Sequence, residues 1–383
     1  MIKAFKYRLY PTGPQQTRLQ ATLDLCRELY NAALQERRDA YRLVGKSITY
    51  YDQANQLPEI KEIREEYREI HSQVLQDVLR KADKAFKSFF TRCQRGATPG
   101  YPRYKGRGQY ESFTYPQVGF SLTHDNQVCL SKIGSIKVKL HRPLEGKVKT
   151  CTIKREGEHW YVVLTALVEA EKLPTSDEAV GIDLGLLHFA TLSDGSTLEN
   201  PRYYRQAEKR LQKHQQSLSR KKRGSHRRRK AVKKVAQTHR KVRNQRQDFL
   251  HKESRKLVNT YGTIVFEELA PSHMSRRPKP KPDETGKYLP NGAAAKAGLN
   301  KSIVDAGWGQ FQQYCVSKAA NAGRQVLFVN PKSTSQVCSG CGTVKKKTLE
   351  ERWHSCECGT ELDRDHNAAL NILRLGRSRQ ASA

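Results

Sequence analysis

An α+β, multidomain fold is predicted by three observations: strand-like alternation on either side of a long helical stretch, a later order of hairpin strands followed by helix–strand pairs, and four cysteines at metal spacing just before a last helix. The first predicts a small β-barrel with helices inserted between its first two strands. The second is the element order of an RNase H-like domain. The third puts a zinc module inside that domain.

Residues 2 to 9 alternate as a strand, with Phe5, Tyr7 and Leu9 on one face, and Pro11 ends it. Over residues 14 to 95, Leu19, Leu23, Cys26, Tyr30 and Leu34 recur at helical spacing. So do Val74, Val78, Ala82, Phe86 and Phe90, and both stripes read as the core of packed amphipathic helices. From about residue 96 the texture turns to Gly, Pro and aromatics, then to short alternating runs such as Ile136-Lys-Val-Lys-Leu140 and Trp160-Tyr-Val-Val-Leu164, which predict barrel strands. After the linker 171–176, Val180-Gly-Ile-Asp183 begins an apolar strand. Phe189-Ala-Thr-Leu192, the turn Ser193-Asp-Gly195 and Ser196-Thr-Leu198 add a hairpin. A basic helical stretch follows over about 202 to 259, then the strand Thr263-Ile-Val-Phe266 and a polar loop over 271 to 300. One helix marked by Val304, Trp308, Phe311 and Cys315, the strand Val326-Leu-Phe-Val329, the cysteines and a helix over about 365 to 375 complete the order.

The 383 residues carry 70 Lys and Arg against 38 Asp and Glu, a net charge of +32, which excludes an enzyme of neutral metabolites and points to a polyanionic partner. Between residues 201 and 246 stand nineteen Lys or Arg and one acid, Glu208. Leu211, Leu218, Val232, Val235 and Val242 recur within this tract, which predicts helices with basic outer faces that contact phosphates rather than read bases. Lys221, Lys222, Arg223, Arg227, Arg228 and Arg229 are its densest run and its candidate nucleic-acid contacts. No apolar stretch reaches the length of a signal peptide core or a membrane span, so a cytoplasmic protein without membrane contact is expected. Of nine cysteines, Cys26, Cys93, Cys129, Cys151 and Cys315 are scattered and read as reduced thiols.

The other four, Cys338, Cys341, Cys356 and Cys358, follow the pattern Cys-x2-Cys-x14-Cys-x-Cys, with Gly340, Gly342 and Gly359 beside them for tight knuckles. Four protein thiolates leave no open position on zinc, so the expected ion is structural. For chemistry, Asp183 sits inside an apolar strand, Glu267 or Glu268 ends another, and Asp363 or Asp365 opens the closing helix. Each alone is consistent with a helix cap or a strand emerging into water. Together they supply hard oxygen ligands from three elements, as two-metal Mg2+ phosphodiester hydrolysis requires.

With these residues in view the chain resembles the TnpB family, RNA-guided endonucleases of insertion sequences related to type V CRISPR effectors. The motifs that carry the resemblance are Gly181-Ile-Asp183-Leu-Gly185, Phe266-Glu267-Glu-Leu269, Ser302-Ile-x-Asp305-Ala-Gly-Trp308, Ser335-Gln-x-Cys338-x-x-Cys341-Gly and Leu362-Asp363-Arg-Asp365-x-Asn367-Ala-Ala369. Leu362 departs from the family, which usually has His there. The resemblance implies a wedge-type β-barrel (1–10 and 96–172), an inserted helical recognition domain (11–95), a RuvC nuclease domain (173–333 and 361–383) and a zinc-bound target-binding module (334–360). It implies Asp183, Glu267 and Asp365 as the catalytic Mg2+ ligands, a lid over 271–300, and Tyr50 and Gln76 near the flanking DNA motif. A guide RNA transcribed from the transposon end and a double-stranded target DNA are the implied partners, with one chain per RNA expected. The alternatives are a nuclease-silent RNA-guided DNA-binding regulator, which would lack some of these carboxylates, and a DNA-joining transposase, against which the resemblance counts.

Overall fold

Alternation along β1 (Ile2–Tyr10) becomes burial in the computed structural model, which describes residues 1–348 and 351–381: Phe5, Tyr7 and Leu9 are buried while their neighbours face outward. Residues 349–350 of the expected zinc module and 382–383 of the expected tail lie outside that description. The chain divides into two units, Met1–Glu169 and Ala170–Ala383.

In the first unit β1 runs into α1 (Gly13–Val44), opened by Thr12, whose N–H donates to the Gln15 side chain, and closed by Gly45 in the left-handed conformation at φ 66°. Then come α2 (Tyr50–Asn55), α3 (Leu57–Ile63) and α4 (Ser72–Gln94). Leu19, Leu23 and Cys26 of α1 meet Val74, Val78 and Ala82 of α4 in one core with the inner face of the sheet. The predicted α4 stripe fails at its last position, because Phe90 is 56% exposed while Phe86 is buried. The strands that follow are β2 (Ser112–Tyr115), β3 (Phe120–Leu122), β4 (Gln127–Leu130), β5 (Gly134–Lys139), β6 (Lys147–Glu156) and β7 (His159–Leu167). They form a seven-stranded sheet in the order β2-β6-β7-β1-β5-β4-β3, so β1 lies in its middle and β2 and β3 at its ends.

The second unit begins with β8 (Ala179–Asp183), β9 (His188–Leu192) and β10 (Thr197–Glu199), then α5 (Tyr203–Ser219), α6 (His226–Thr260) and β11 (Thr263–Glu267). After α7 (Pro271–Met274) come α8 (Ala293–Ala306), α9 (Trp308–Ala322), β12 (Gln325–Val329), β13 (Trp353–Ser355), β14 (Glu361–Asp363) and α10 (Arg364–Ala381). The five-stranded sheet runs β10-β9-β8-β11-β12, antiparallel in the hairpins and parallel across β8, β11 and β12. Its central strands read as unbroken apolar runs because both faces are covered. Ile264 and Phe266 pack with Phe311 and Cys315 of α9 on one side, and Val265 and Val329 pack with Ile372 of α10 on the other.

Local predictions need correction at three places, the first being the loop expected over 271 to 300, which is helical at both ends as α7 and the first half of α8. The single helix expected around Val304 to Cys315 is two, because Gly307 adopts φ 73° and ends α8; Val304 is consequently exposed while Trp308, Phe311 and Cys315 are buried. In the basic tract Leu211 and Val242 are buried, but Val232 is exposed and Ala231 and Thr238 take the inward positions. Among the described residues, no helix is long and apolar enough to cross a membrane.

Candidate functional site

Asp183 and Glu267 are the last residues of neighbouring parallel strands, and the register that pairs Phe266 with Ile182 brings both carboxylates to the same sheet edge. Helix α10 carries the third. It lies on β8 so closely that a Cβ at Gly181 would stand 2.2 Å from the Ala369 carbonyl oxygen and 2.5 Å from the Leu373 nitrogen, which is why glycine occupies that strand position. Gly376 grants the same approach over Val265. So seated, α10 holds Asp365 over the turn after β8, with Oδ2 at 4.0 Å from where a Gly185 Cβ would be.

The paired candidates differ in their surroundings. Asp363 Oδ1 accepts the N–H groups of Asp365 (2.8 Å) and His366 (3.2 Å), so Asp363 caps the helix and Asp365 faces the other acids. Glu268 is exposed and Glu267 half-buried. Burial, then the charges of Glu267 and Asp365, push the Asp183 carboxyl up to about 8 despite Arg364. Burial raises Glu267 against its bond from Thr334, and burial with Asp363 raises Asp365. Among the described residues, neither the Asp183 nor the Asp365 side chain makes a hydrogen bond or ion pair with protein. Like charges gathered this way favour a cation beside them, although among the described residues the group whose ligand atoms already lie within 4.8 Å of one another is the cluster of Cys338, Cys341, Cys356 and Cys358.

Several polar residues tie this site together, and of them Asn367 alone stood in a motif singled out in the sequence. The Thr334 hydroxyl donates to Glu267 Oε1, and Gln312 Nε2 donates to the Glu267 carbonyl at 3.0 Å. Asn371 and Asn367, both buried on α10, donate to the carbonyls of Thr334 (2.9 Å) and Val337 (2.7 and 2.8 Å), and Asn367 Oδ1 accepts from the Ser339 N–H. Their adjacency to Ser335-Gln-x-Cys338 and to Asp365 is the trace that could have marked them.

The four predicted cysteines converge, every Sγ within 4.8 Å of the others, with Cys338 to Cys358 and Cys341 to Cys356 at 3.6 Å. Tetrahedral zinc at about 2.3 Å from each sulfur implies sulfur separations of about 3.8 Å, so the set fits that ion. The knuckles are as the glycines demand: Gly342 N–H donates to the Cys338 carbonyl and Gly359 N–H to that of Cys356, both glycines at φ above 80°. A Cβ at Gly340 would meet Thr360 Oγ1 at 2.2 Å.

The predicted nucleic-acid contacts scatter more widely. Tyr50 opens α2 with the Arg80 guanidinium 5.3 Å from its ring, and Gln76 lies one turn before Arg80 on α4. Lys221, Lys222 and Arg223 occupy the turn between α5 and α6, and Arg227, Arg228 and Arg229 the first turn of α6. Arg228 is spent partly on structure, donating to the carbonyls of Leu218 (3.0 Å) and Lys221 (3.2 Å), while Lys222, Arg223, Arg227 and Arg229 are exposed.

Family models match three stretches of the chain: "Probable transposase" over residues 153–277, "Cas12f1-like, TNB domain" over 308–372, and "Helix-turn-helix domain" over 1–46. In the structure the last stretch is one strand and one long helix. The chain is 33% identical over 381 residues to "Putative RNA-guided DNA endonuclease InsQ" of Escherichia coli (strain K12), covering 98% of this chain and 92% of that protein. A protein of the same general description from Streptomyces pristinaespiralis is 35% identical over 383 residues, covering 98% and 89%. Among solved structures, Cas12f1 in a cryo-EM complex with sgRNA and target DNA matches with a TM-score of 0.56 at 13% identity over 97% of this chain and 98% of that one, a likeness of mixed α+β fold.

Proposed function

The chain belongs to the TnpB family, and on that premise we propose that it is an RNA-guided DNA endonuclease cutting target DNA by two-metal phosphodiester hydrolysis. The observation that carries this reading is the meeting of Asp183, Glu267 and Asp365 at one sheet edge, acids raised by burial and by one another. Such a donor set fits Mg2+, which when bound stabilises the attacking and leaving oxygens of an in-line displacement. Asp183 and Glu267 present their oxygens from rigid strand ends, and Asp365 closes the set from the helix. Thr334 occupies one Glu267 oxygen and so fixes the carboxylate plane, while Asp363, as helix cap, keeps Asp365 turned inward.

The RNase H-like reading of Ala170–Ala383, with residues 173–333 and 361–383 as a RuvC domain, is supported by the strand order and by this carboxylate edge. Residues 334–360 would be a target-binding module held by one structural zinc on Cys338, Cys341, Cys356 and Cys358. Residues 1–10 and 96–172 would form the wedge and 11–95 the recognition domain, with Tyr50 and Gln76 near a short flanking DNA motif. The guide would come from the transposon end, one RNA per chain, its phosphates met by Lys221, Lys222, Arg223, Arg227, Arg228 and Arg229. Base pairing then selects the target while protein reads shape and the flanking motif.

A cleavage assay with two guides and two targets in all four combinations, each target carrying the same flanking motif, tests the reading. Only the two matched combinations should be cut, and protein stripped of RNA should cut neither. Cutting that ignores the guide would return the transposase, and guided binding without cutting would return the silent regulator.

A further inference from the structure

The exposure of Phe90 leads to a second site in the first unit. Phe86, Phe90 and Tyr101 line a cavity of about 910 Å3 together with Arg37, Arg38 and Arg42, and none of the lining residues is acidic. The rings form a wall: Tyr101 meets Phe86 edge-on at 5.7 Å, and Phe90 lies near-parallel to Phe86 at 6.4 Å. Phe90 is 56% and Tyr101 46% exposed, so the wall turns apolar surface to solvent.

Arg37 supplies the second observation. It is only 8% exposed, with Nε donating to Gln53 Oε1 at 2.8 Å and Nη1 to Asp83 Oδ1 at 3.0 Å, and its guanidinium lies 5.5 Å from the Phe86 ring. Its Nη2 is buried without a partner. A residue lining the cavity thus holds a guanidinium donor that neither protein nor solvent meets, and an anionic or carbonyl oxygen that reached it after a small side-chain shift would satisfy it. Arg38 and Arg42 stand at the exposed rim, held by Asp39 at 3.1 and 3.9 Å.

We propose that this cavity binds an unpaired nucleotide, its base stacked on Phe90 and Tyr101 and a phosphate or base oxygen taken by Arg37. Aromatic faces with interleaved guanidiniums are what single-stranded nucleic acid selects, since a paired base offers no free face. Charge complementarity favours this occupant over a second copy of the chain, whose net charge of +32 would be brought against three arginines. The cavity also borders the expected motif-reading surface: Ser47 and Ile48 line it and lead into Tyr50, and Gln53, three residues on, holds Arg37. The proposal rests on the nucleic-acid reading above but not on cleavage. Its nucleotide could come from the guide RNA or from a separated strand of the target.

The test uses the full chain with its guide RNA and two photo-reactive probes: guide substituted with 4-thiouridine, and target DNA substituted with 5-iododeoxyuridine. Crosslinked peptides are mapped, and affinity for guide and for target is measured in Phe90→Ala and Phe90→Trp. Crosslinks should fall within residues 86–101 in one arm, and that arm names the source. Phe90→Ala should weaken binding of the same nucleic acid about tenfold, with an unchanged thermal transition, and Phe90→Trp should restore it. No crosslink in either arm, or undiminished affinity in a folded Phe90→Ala protein, overturns the proposal. So does a change of oligomeric mass in that variant, which would assign the wall to a second copy. Crosslinks together with guide-independent cutting would leave this site standing and defeat the endonuclease reading instead.

Discussion

The carboxylate centre and the cysteine cluster are both gatherings of acidic ligands, yet they are assembled in opposite ways. The thiols come from two neighbouring knuckles within residues 338–358, and each knuckle's own backbone N–H groups shape it. The carboxylates come from two strands and a helix drawn from both ends of the second unit, and Asp183 is held among like charges by packing alone. A local cluster can form wherever its loop folds. A distributed one exists only after the sheet and α10 have docked, so the rest of the fold must sustain its repulsion.

That contrast can be broken most forcefully at its centre. Asp183→Ala should lower cleavage in Mg2+ by about a thousandfold or more while guide and target binding stay near normal, because the lost charge is not at a phosphate-contacting face. Cleavage at the wild-type rate would remove Asp183 from the site. On the local side, Cys356→Ser should lose the one zinc per chain that metal analysis is expected to find, and lower the melting temperature of the second unit. A metal-free protein of full stability would end the zinc assignment.

Where the two sites meet, Thr334→Val should slow cleavage about tenfold and Thr334→Ser should recover it, with affinity for target unchanged in both, since the hydroxyl only orients Glu267. Equal rates in all three proteins would make Thr334 a spectator. The fourth effect is on stability. Asp183 is held near 8 in the folded chain and titrates near about 3.9 when unfolded, so the folded state binds the extra proton between those values. Its contribution is whole below about pH 4 and is lost as pH rises through about 8; metal-free protein should therefore melt lower at pH 8 than at pH 5, and Asp183→Asn should flatten that slope. An unchanged slope would mean that Asp183 is not held among the other acids.

The same contrast decides what was legible in the sequence. The cysteines were readable from spacing, because their geometry is local. Asp183 stood out as a charge inside an apolar strand, while the residue pattern left Glu267 against Glu268 and Asp363 against Asp365 open and the family resemblance alone implied a choice, since strand register and the helix cap are not written in local spacing. Thr334 and Asn371 left no trace, and Asn367 entered only as a motif position without a role, as single polar residues reveal a partner only once α10 is seated. Among apolar positions, Phe90 and Val304 fit helical periodicity yet face solvent, one in the last turns of α4 beyond its last buried residue, Phe86, and one before the break at Gly307.

The position of β1 has a consequence for how the chain is made. Of the seven strands in its sheet the one made first, β1, lies in the middle, and its partners are residues 137–139 of β5 and 160–167 of β7. Until those emerge, Phe5, Tyr7 and Leu9 have no sheet to join, and both edges of the strand offer unpaired N–H and carbonyl groups to any passing chain. Helices α1 and α4, which share the same core, are complete by residue 94 and can shelter that apolar face in the interval. Synthesis of the first unit is thus a race between closing one long loop and aggregating, and it should be won more often by fast translation of residues 95–167, or by chaperone holding while they emerge, than by any gain in strand propensity within β1.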